Sequence, residues 1–284
     1  MFPASFDYHA PTSLSEALRL LAENGPDAKL LAGGHSLLPA MKLRLLEPGC
    51  LVDIGRIPEL RGVRREGKAL VIGAATLHAD IATSDLVRQA APGLATAASL
   101  IGDVQVRNRG TIGGSVAHDD PAADYPVILT ALDASFVLVS RTGARTVPAE
   151  EFFIDYFTTA LNEGEILTEV RVADAGDGAT SAYAKLEHPA SGFLVVSAGV
   201  RLERSADGRC RAARLAIGGL GGRPFRAAGA ESALAGQSLT PAVIAAASAL
   251  AADGSDPEGD AYAPAEYRRH LATVYAQRAL EAAL

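Results

Sequence analysis

Two short segments hold the residues best suited to chemistry: Ala32-Gly33-Gly34-His35-Ser36 and Thr111-Ile112-Gly113-Gly114-Ser115. Each sets paired glycines beside a hydroxyl residue. Glycine lets the backbone take positive φ and approach a ligand with no Cβ in between. Successive N–H groups then form a nest for phosphate oxygens, and a helix start adds the positive end of its dipole. Two such loops would grip a pyrophosphate from both sides, supplying attraction that a chain of net charge −7 lacks in bulk. A single paired-glycine motif is usually a turn. Two copies, one inside an over-long polar stretch, point to a phosphate-bearing ligand, and the residues by themselves go no further.

Competing nucleotide signatures fail. There is no Gly-x-x-x-x-Gly-Lys-[Ser/Thr]. Gly219-Leu220-Gly221 would need a third glycine at Pro224 and a following βαβ unit to be a dinucleotide fingerprint; Gly218 to Gly222 reads as a flexible loop near a ligand edge. His118-Asp119-Asp120 looks like a metal cluster, yet adjacent aspartates point to opposite sides of an extended chain. Two isolated cysteines, Cys50 and Cys210, cannot supply the four thiolates of an iron–sulfur cluster and read as buried small hydrophobes. Lys42, Arg44, Arg107 and Arg109 flank the motifs. They suit either a raised potential around a diphosphate, an acidic partner surface, or a solvated face.

These residues need elements to hold them. Ser13-Leu14-Ser15-Glu16 is a capping box for a helix that Gly25-Pro26 stops. A strand over 29–32, a helix that Ser36 caps through Leu45, and a strand over 50–54 make a β-α-β unit across the first motif. A hairpin over 63–72 turns at Glu66-Gly67, and Ser84-Asp85 opens a helix broken at Pro92-Gly93. Residues 102–124 exceed a usual connection of about 4–6 residues, so they are functional or poorly ordered. A helix over 124–132 and strands over 136–139 and 145–147 follow. Ala173 to Ala179 is small and polar, as a domain linker is. Beyond it, strands over 181–186, 193–202 and 211–218 form an antiparallel sheet, with helices over 241–252 and 264–283. The last is amphipathic, for packing or docking. The class is α+β.

The length of 284 residues suits two domains. The acidic balance argues against nucleic acid. No apolar run nears the ~18 residues of a membrane span. Met1 to Phe6 lacks the basic and apolar regions of a signal peptide, so the cytoplasm is expected, with peripheral association at the inner membrane face left open.

The blocks LLAGGHSLLPAMKLRLLEPGCLVDI (30–54), DVQVRNRGTIGGSVAHDDPAADY (103–125) and EHPASGF around Phe193 resemble the FAD-binding medium subunits of the carbon monoxide dehydrogenase / xanthine dehydrogenase family, over essentially the whole chain. The resemblance implies a vanillyl-alcohol-oxidase-type FAD-binding fold in residues 1–175, with subdomains of about 1–55 and 56–175, and a C-terminal α+β domain in 176–284 built on a three-stranded antiparallel sheet. It implies noncovalent FAD, with molybdenum–pterin on a large partner subunit and [2Fe–2S] clusters on a small one, in a dimer of heterotrimers. Electrons would leave to quinone, NAD or oxygen. By the same resemblance Ala32, Gly33, Gly34, His35 and Ser36 bind the FAD diphosphate together with Thr111, Ile112, Gly113, Gly114 and Ser115. Asp124 contacts the ribityl side, Ile101 packs on the flavin, and Phe193 covers a ring face. Relatives often carry tyrosine at that last position, and Ser191-Gly192 stand where acidic residues are frequent. No four-cysteine insertion for an additional [4Fe–4S] cluster is present. The competing readings are a self-contained FAD oxidase, which would bring its own acid–base residues, and a non-redox scaffold that has lost the flavin.

Overall fold

The computed structural model describes residues 2–173 and 178–284. The core of the linker expected over 173–179 therefore lies outside the described residues.

The first sheet is parallel. Cys50–Asp53 runs between Asp7–His9 and Ala28–Leu31. Helix Leu14–Asn24 covers it with Ala17, Leu18, Leu20 and Leu21. Its capping serine is in place: Ser13 Oγ accepts from the Glu16 N–H. Strand Asp7–His9 was not foreseen, because all three residues are exposed and show no apolar alternation.

The second sheet is antiparallel, in the order Val63–Glu66, Ala69–Gly73, Ile166–Ala173, Ser135–Ser140, Gly143–Pro148. The stretch 102–124 is ordered, holding the helices Val104–Arg107 and Ile112–His118. Their glycines and short length hid them from periodicity.

The third sheet pairs Ala179–Glu187, Leu194–Arg204 and Cys210–Gly218 antiparallel, as expected, and adds the two-residue strand Phe225–Arg226. Helix Ala265–Ala282 packs on it with Leu271, Tyr275, Ala276 and Leu280, so its apolar stripe serves its own domain. The opposite face receives helix Asp124–Ala131, every residue of which is buried. Two glycines make that approach possible. A Cβ on Gly199 would stand 3.0 Å from Ile128 Cα, and one on Gly218 would stand 2.4 Å from Val127 Cγ2. The helix is held between two cores, and its N-terminal residue, Asp124, is fixed where they meet. Within the loop expected over 218–222, Gly219 and Gly222 are closely packed, while Gly221 faces open space. A Cβ on Gly219 would strike the Val195 carbonyl oxygen at 2.1 Å, and one on Gly222 the Asp155 carboxylate at 2.2 Å.

Candidate functional site

The first glycine motif leaves the C-terminal end of the parallel strand Ala28–Leu31, the edge at which open α/β sheets bind ligands. Gly34 has φ +78°, a conformation that favours glycine. Among the described residues, none accepts a hydrogen bond from the backbone N–H of Gly33, Gly34, His35, Ser36 or Leu37. The Ser36 hydroxyl does not cap the helix Leu37–Lys42 that follows. This loop therefore presents a run of unused donors, which is what an anionic group requires. The helix ends earlier than the expected Leu45, because Arg44 turns left-handed at φ +61°.

The second motif is built differently. Thr111 is the N-cap of helix Ile112–His118, and its Oγ1 accepts from the Gly114 N–H at 3.2 Å. The Gly113 N–H donates to the Ala74 carbonyl at 2.8 Å, and the Ser115 N–H to the Thr111 carbonyl at 3.1 Å. The expectation of a second nest of free amides is thus corrected. Here the glycines serve close packing: a Cβ on Gly113 would stand 2.4 Å from Ala74 Cβ. Ile112 is fully buried, while Gly114 and Ser115 remain partly open.

The two motifs meet. A Cβ on Gly33 would lie 2.4 Å from the Arg109 carbonyl oxygen and 2.7 Å from Gly110 Cα. A Cβ on Gly114 would lie 3.7 Å from Ala32 Cβ. Segments almost eighty residues apart thus form one small-residue cradle with donors on its first wall. The residues present fit a diphosphate on that side, with amides that no described residue accepts and a Ser36 hydroxyl that does not cap the following helix.

Ile101, Asp124 and Phe193 are tied together by a residue that sequence reasoning missed. Lys185 Nζ lies 3.1 Å from Asp124 Oδ1. It also donates to the Leu100 carbonyl at 2.8 Å and the Gly192 carbonyl at 3.0 Å, the residues before Ile101 and Phe193. Tyr183 Oη donates to Asp124 Oδ1 at 2.7 Å. Burial pushes the Asp124 carboxyl above its ordinary pKa, and Lys185 and Tyr183 pull against that rise. The signal lay in Ser181-x-Tyr183-x-Lys185, a polar face at strand period. Ser181 completes it by accepting from the Gly93 N–H.

The remaining candidates fall into place around this frame. Phe193 is half exposed and borders a cleft of about 320 Å³ lined also by Pro121, Tyr156, His188 and Glu258. A larger cleft of about 590 Å³ at Thr130, Glu150 and residues 220–226 shares no residue with either motif. Arg107 donates to the carbonyls of Ile101 and Gly102, holding that loop rather than offering free charge. Arg44 pairs with Glu47, and Lys42, Arg109 and His35 are exposed. His118 packs on the Phe157 ring, and Asp119 is buried at the C-cap of helix Ile112–His118.

Comparison with known proteins identifies the setting. Residues 4–173 match the FAD-binding domain family of molybdopterin dehydrogenases, and residues 181–283 match the C-terminal domain family of the CO dehydrogenase flavoprotein. The carbon monoxide dehydrogenase medium chain of Hydrogenophaga pseudoflava is 44% identical, over 100% of this chain and 98% of its own. Subunit alpha of the 6-hydroxypseudooxynicotine dehydrogenase complex of Paenarthrobacter nicotinovorans is 38% identical, over 100% and 96%. The solved carbon monoxide dehydrogenase of Hydrogenophaga pseudoflava that lacks the Mo-pyranopterin moiety of its cofactor contains a chain that superposes with a TM-score of 0.94 at 45% identity, covering 100% of this chain and 98% of that one. Among the described residues no helix is long and apolar enough to cross a membrane. The chain belongs to the FAD-binding flavoprotein subunits of the molybdopterin dehydrogenases, the family of the carbon monoxide dehydrogenase medium chains.

Proposed function

We propose that this chain holds one noncovalent FAD in the cradle and is the electron-relay subunit of a molybdenum hydroxylase. The observation that carries the reading is the closure of the Gly33 loop, with its unpaired amides, onto the Arg109–Gly110 turn. Ala32 to Ser36 would bind the diphosphate by backbone donors. Thr111 to Ser115 would form the opposing wall, with Gly114 and Ser115 as its open residues. Ile101 and Phe193 would border the ring, with Asp124 held behind them by Lys185. FAD supplies the capacity to take up electrons singly and release them singly or in pairs, while the protein binds, orients and shields it.

The partners would be a large molybdenum–pterin subunit and a small subunit with [2Fe–2S] clusters, assembled as a dimer of heterotrimers in the cytoplasm. Quinone, NAD or oxygen would take the electrons. Two relatives of comparable identity are named for carbon monoxide and for 6-hydroxypseudooxynicotine, which supports placing substrate choice on another chain. Residues 1–175 would form the FAD-binding domain and 176–284 the C-terminal domain. The separate sheets, within 7–53, 63–173 and 179–226, support that division.

The test is the visible spectrum of the chain purified with its companions, followed by mass analysis of the released cofactor. Flavin absorbance, FAD on release, and iron and molybdenum in the companions are expected. An intact complex without flavin would defeat the reading.

A further inference from the structure

The imidazole of His78 lies behind the turn that enters the second glycine motif. It is only 4% exposed. Its Nδ1 shares a 3.1 Å hydrogen bond with the Tyr125 hydroxyl, and the two rings sit 5.2 Å apart between centroids, tilted by 58°. Its backbone N–H donates to the Gly110 carbonyl at 3.0 Å.

Its ring faces Gly110 directly. A Cβ on Gly110 would stand 2.4 Å from His78 Nε2. Gly110 Cα in turn lies 2.7 Å from where Gly33 would carry a Cβ. Three groups are therefore stacked: Gly33 of the first loop, Gly110 of the turn, and the imidazole. Neither glycine adds side-chain thickness, so the ring fixes how deep the turn sits. That depth sets the gap between the free amides of the first loop and the start of the second motif.

We propose that His78 is a positioning residue for the FAD diphosphate: its ring, oriented by Tyr125, sets the separation of the two glycine loops. The inference rests on the FAD reading above. Its action is steric rather than electrostatic. Burial, with His35 and Arg107 adding to it, holds the imidazole pKa down at about 4, so the ring is neutral at physiological pH. The hydrogen bond to Tyr125, which is fully buried, gives the ring one orientation. The same link joins the diphosphate wall to Asp124, the neighbour of Tyr125, and so to the Lys185 tie at the ring end of the cradle.

The test titrates FAD back into the deflavinated protein, purified with its companion subunits, and follows flavin fluorescence. Four variants are compared with the wild type: His78→Ala, His78→Gln, Gly110→Ala and the double variant His78→Ala/Gly110→Ala. His78→Ala is expected to weaken FAD binding about 10-fold, and His78→Gln, which can still bond Tyr125 and pack flat on Gly110, to recover most of that loss. Gly110→Ala alone is expected to be at least as damaging. In the double variant the added methyl occupies the space the ring vacated, so the two losses should fall short of additive by about 10-fold, a coupling expected only of groups in contact. Additive losses, or a His78→Ala protein that binds as the wild type does, would overturn the proposal. If Gly110→Ala does not fold, the His78→Ala and His78→Gln pair decides: equal losses in both mean a general packing role and also overturn it. A wild-type protein that takes up no FAD defeats the functional reading instead, which keeps the two failures distinct.

Discussion

Lys185 Nζ stands 3.1 Å from Asp124 Oδ1, with both side chains almost wholly buried, 2% and 5% exposed. The pair joins the strand Ala179–Glu187 of one sheet to the first residue of the helix Asp124–Ala131 that passes beneath it. Through the carbonyls of Leu100 and Gly192 it also holds the two loops that carry Ile101 and Phe193. Removing one member of a buried ion pair leaves an uncompensated charge, which costs more than the pair itself contributes. Lys185→Met is therefore expected to destabilise the chain by about 3–5 kcal/mol in urea unfolding, and Asp124→Asn by less, because the amide still accepts from Tyr183. Hydrogen exchange should quicken at Leu100 and Leu194, whose N–H groups donate to the Ala97 and Ala122 carbonyls, in Lys185→Met. An unchanged urea midpoint would show that the pair does not form.

Two buried groups, His78 and Asp119, pull acid stability in opposite directions. Burial, His35 and Arg107 push the His78 pKa from 6.5 to about 4. The unfolded chain then binds the extra proton between those values. The contribution of His78 is present above pH 6.5 and lost as pH falls through about 4. At ~1.4 kcal/mol per pH unit its full size is on the order of 3 kcal/mol. Asp119 behaves the opposite way. Burial, Asp120 and Asp155 push its pKa from 3.8 to about 7, and its buried Oδ2 has no hydrogen-bond partner. Here the folded chain holds the extra proton. That contribution is full below pH 3.8 and lost as pH rises through about 7. The two slopes partly cancel in the native chain. Asp119→Asn removes one of them, so its melting temperature is expected to climb from pH 4 to 6.5 more steeply than that of the wild type. A slope equal to the wild type's would contradict the shifted Asp119.

The longer regular elements were legible because each carried its own local signal, which strand Asp7–His9 and the short helices Val104–Arg107 and Ile112–His118 lacked. Ser13 and Glu16 marked the first helix, Gly67 marked the hairpin, and alternation marked the three long strands of the third sheet. The paired glycines also announced the cradle. Its construction was not legible, since a glycine that frees an amide for a ligand and a glycine that admits a neighbouring backbone look alike in sequence. Gly34 turns the chain at φ +78° with an N–H that no described residue accepts, whereas Gly113 is packed against Ala74. Lys185 was missed for a related reason. A lysine on a strand reads as solvent-facing until the helix it meets, sixty residues earlier in the chain, is placed against it.

That distinction gives an order of severity for substitutions. A Cβ at position 33 would strike backbone, the Arg109 carbonyl oxygen and Gly110 Cα, which cannot rotate away. A Cβ at position 114 would meet the Thr111 hydroxyl at 2.8 Å, a group that can turn aside, and then only Ala32 at 3.7 Å. Gly33→Ala is accordingly expected to weaken FAD binding by roughly 10-fold or more, consistent with an overpacking cost of about 1–3 kcal/mol, and Gly114→Ala by several-fold less. Gly114→Val, with a branched side chain against the open face, should match Gly33→Ala. Fluorescence titration of all three checks the ranking, and a Gly114→Ala loss larger than that of Gly33→Ala would reverse it.

Phe193 offers the contrary case, a residue whose change should show in the cofactor and hardly at all in the fold. Phe193 is 49% exposed. The loop that carries it is held by backbone, through the His188 N–H to the Phe193 carbonyl at 2.8 Å and the Lys185 bond to Gly192. Removing the ring therefore deletes little buried area and no hydrogen bond. Phe193→Ala is expected to change stability by no more than about 0.5 kcal/mol, the range of exposed substitutions. If the ring covers the flavin, the same variant should shift the visible flavin bands and speed reoxidation by small external acceptors, because the ring edge becomes open to solvent. Phe193→Tyr keeps the cover and should leave both readouts near the wild type. A Phe193→Ala protein with unaltered bands and unaltered reoxidation would place the flavin elsewhere than beside this ring.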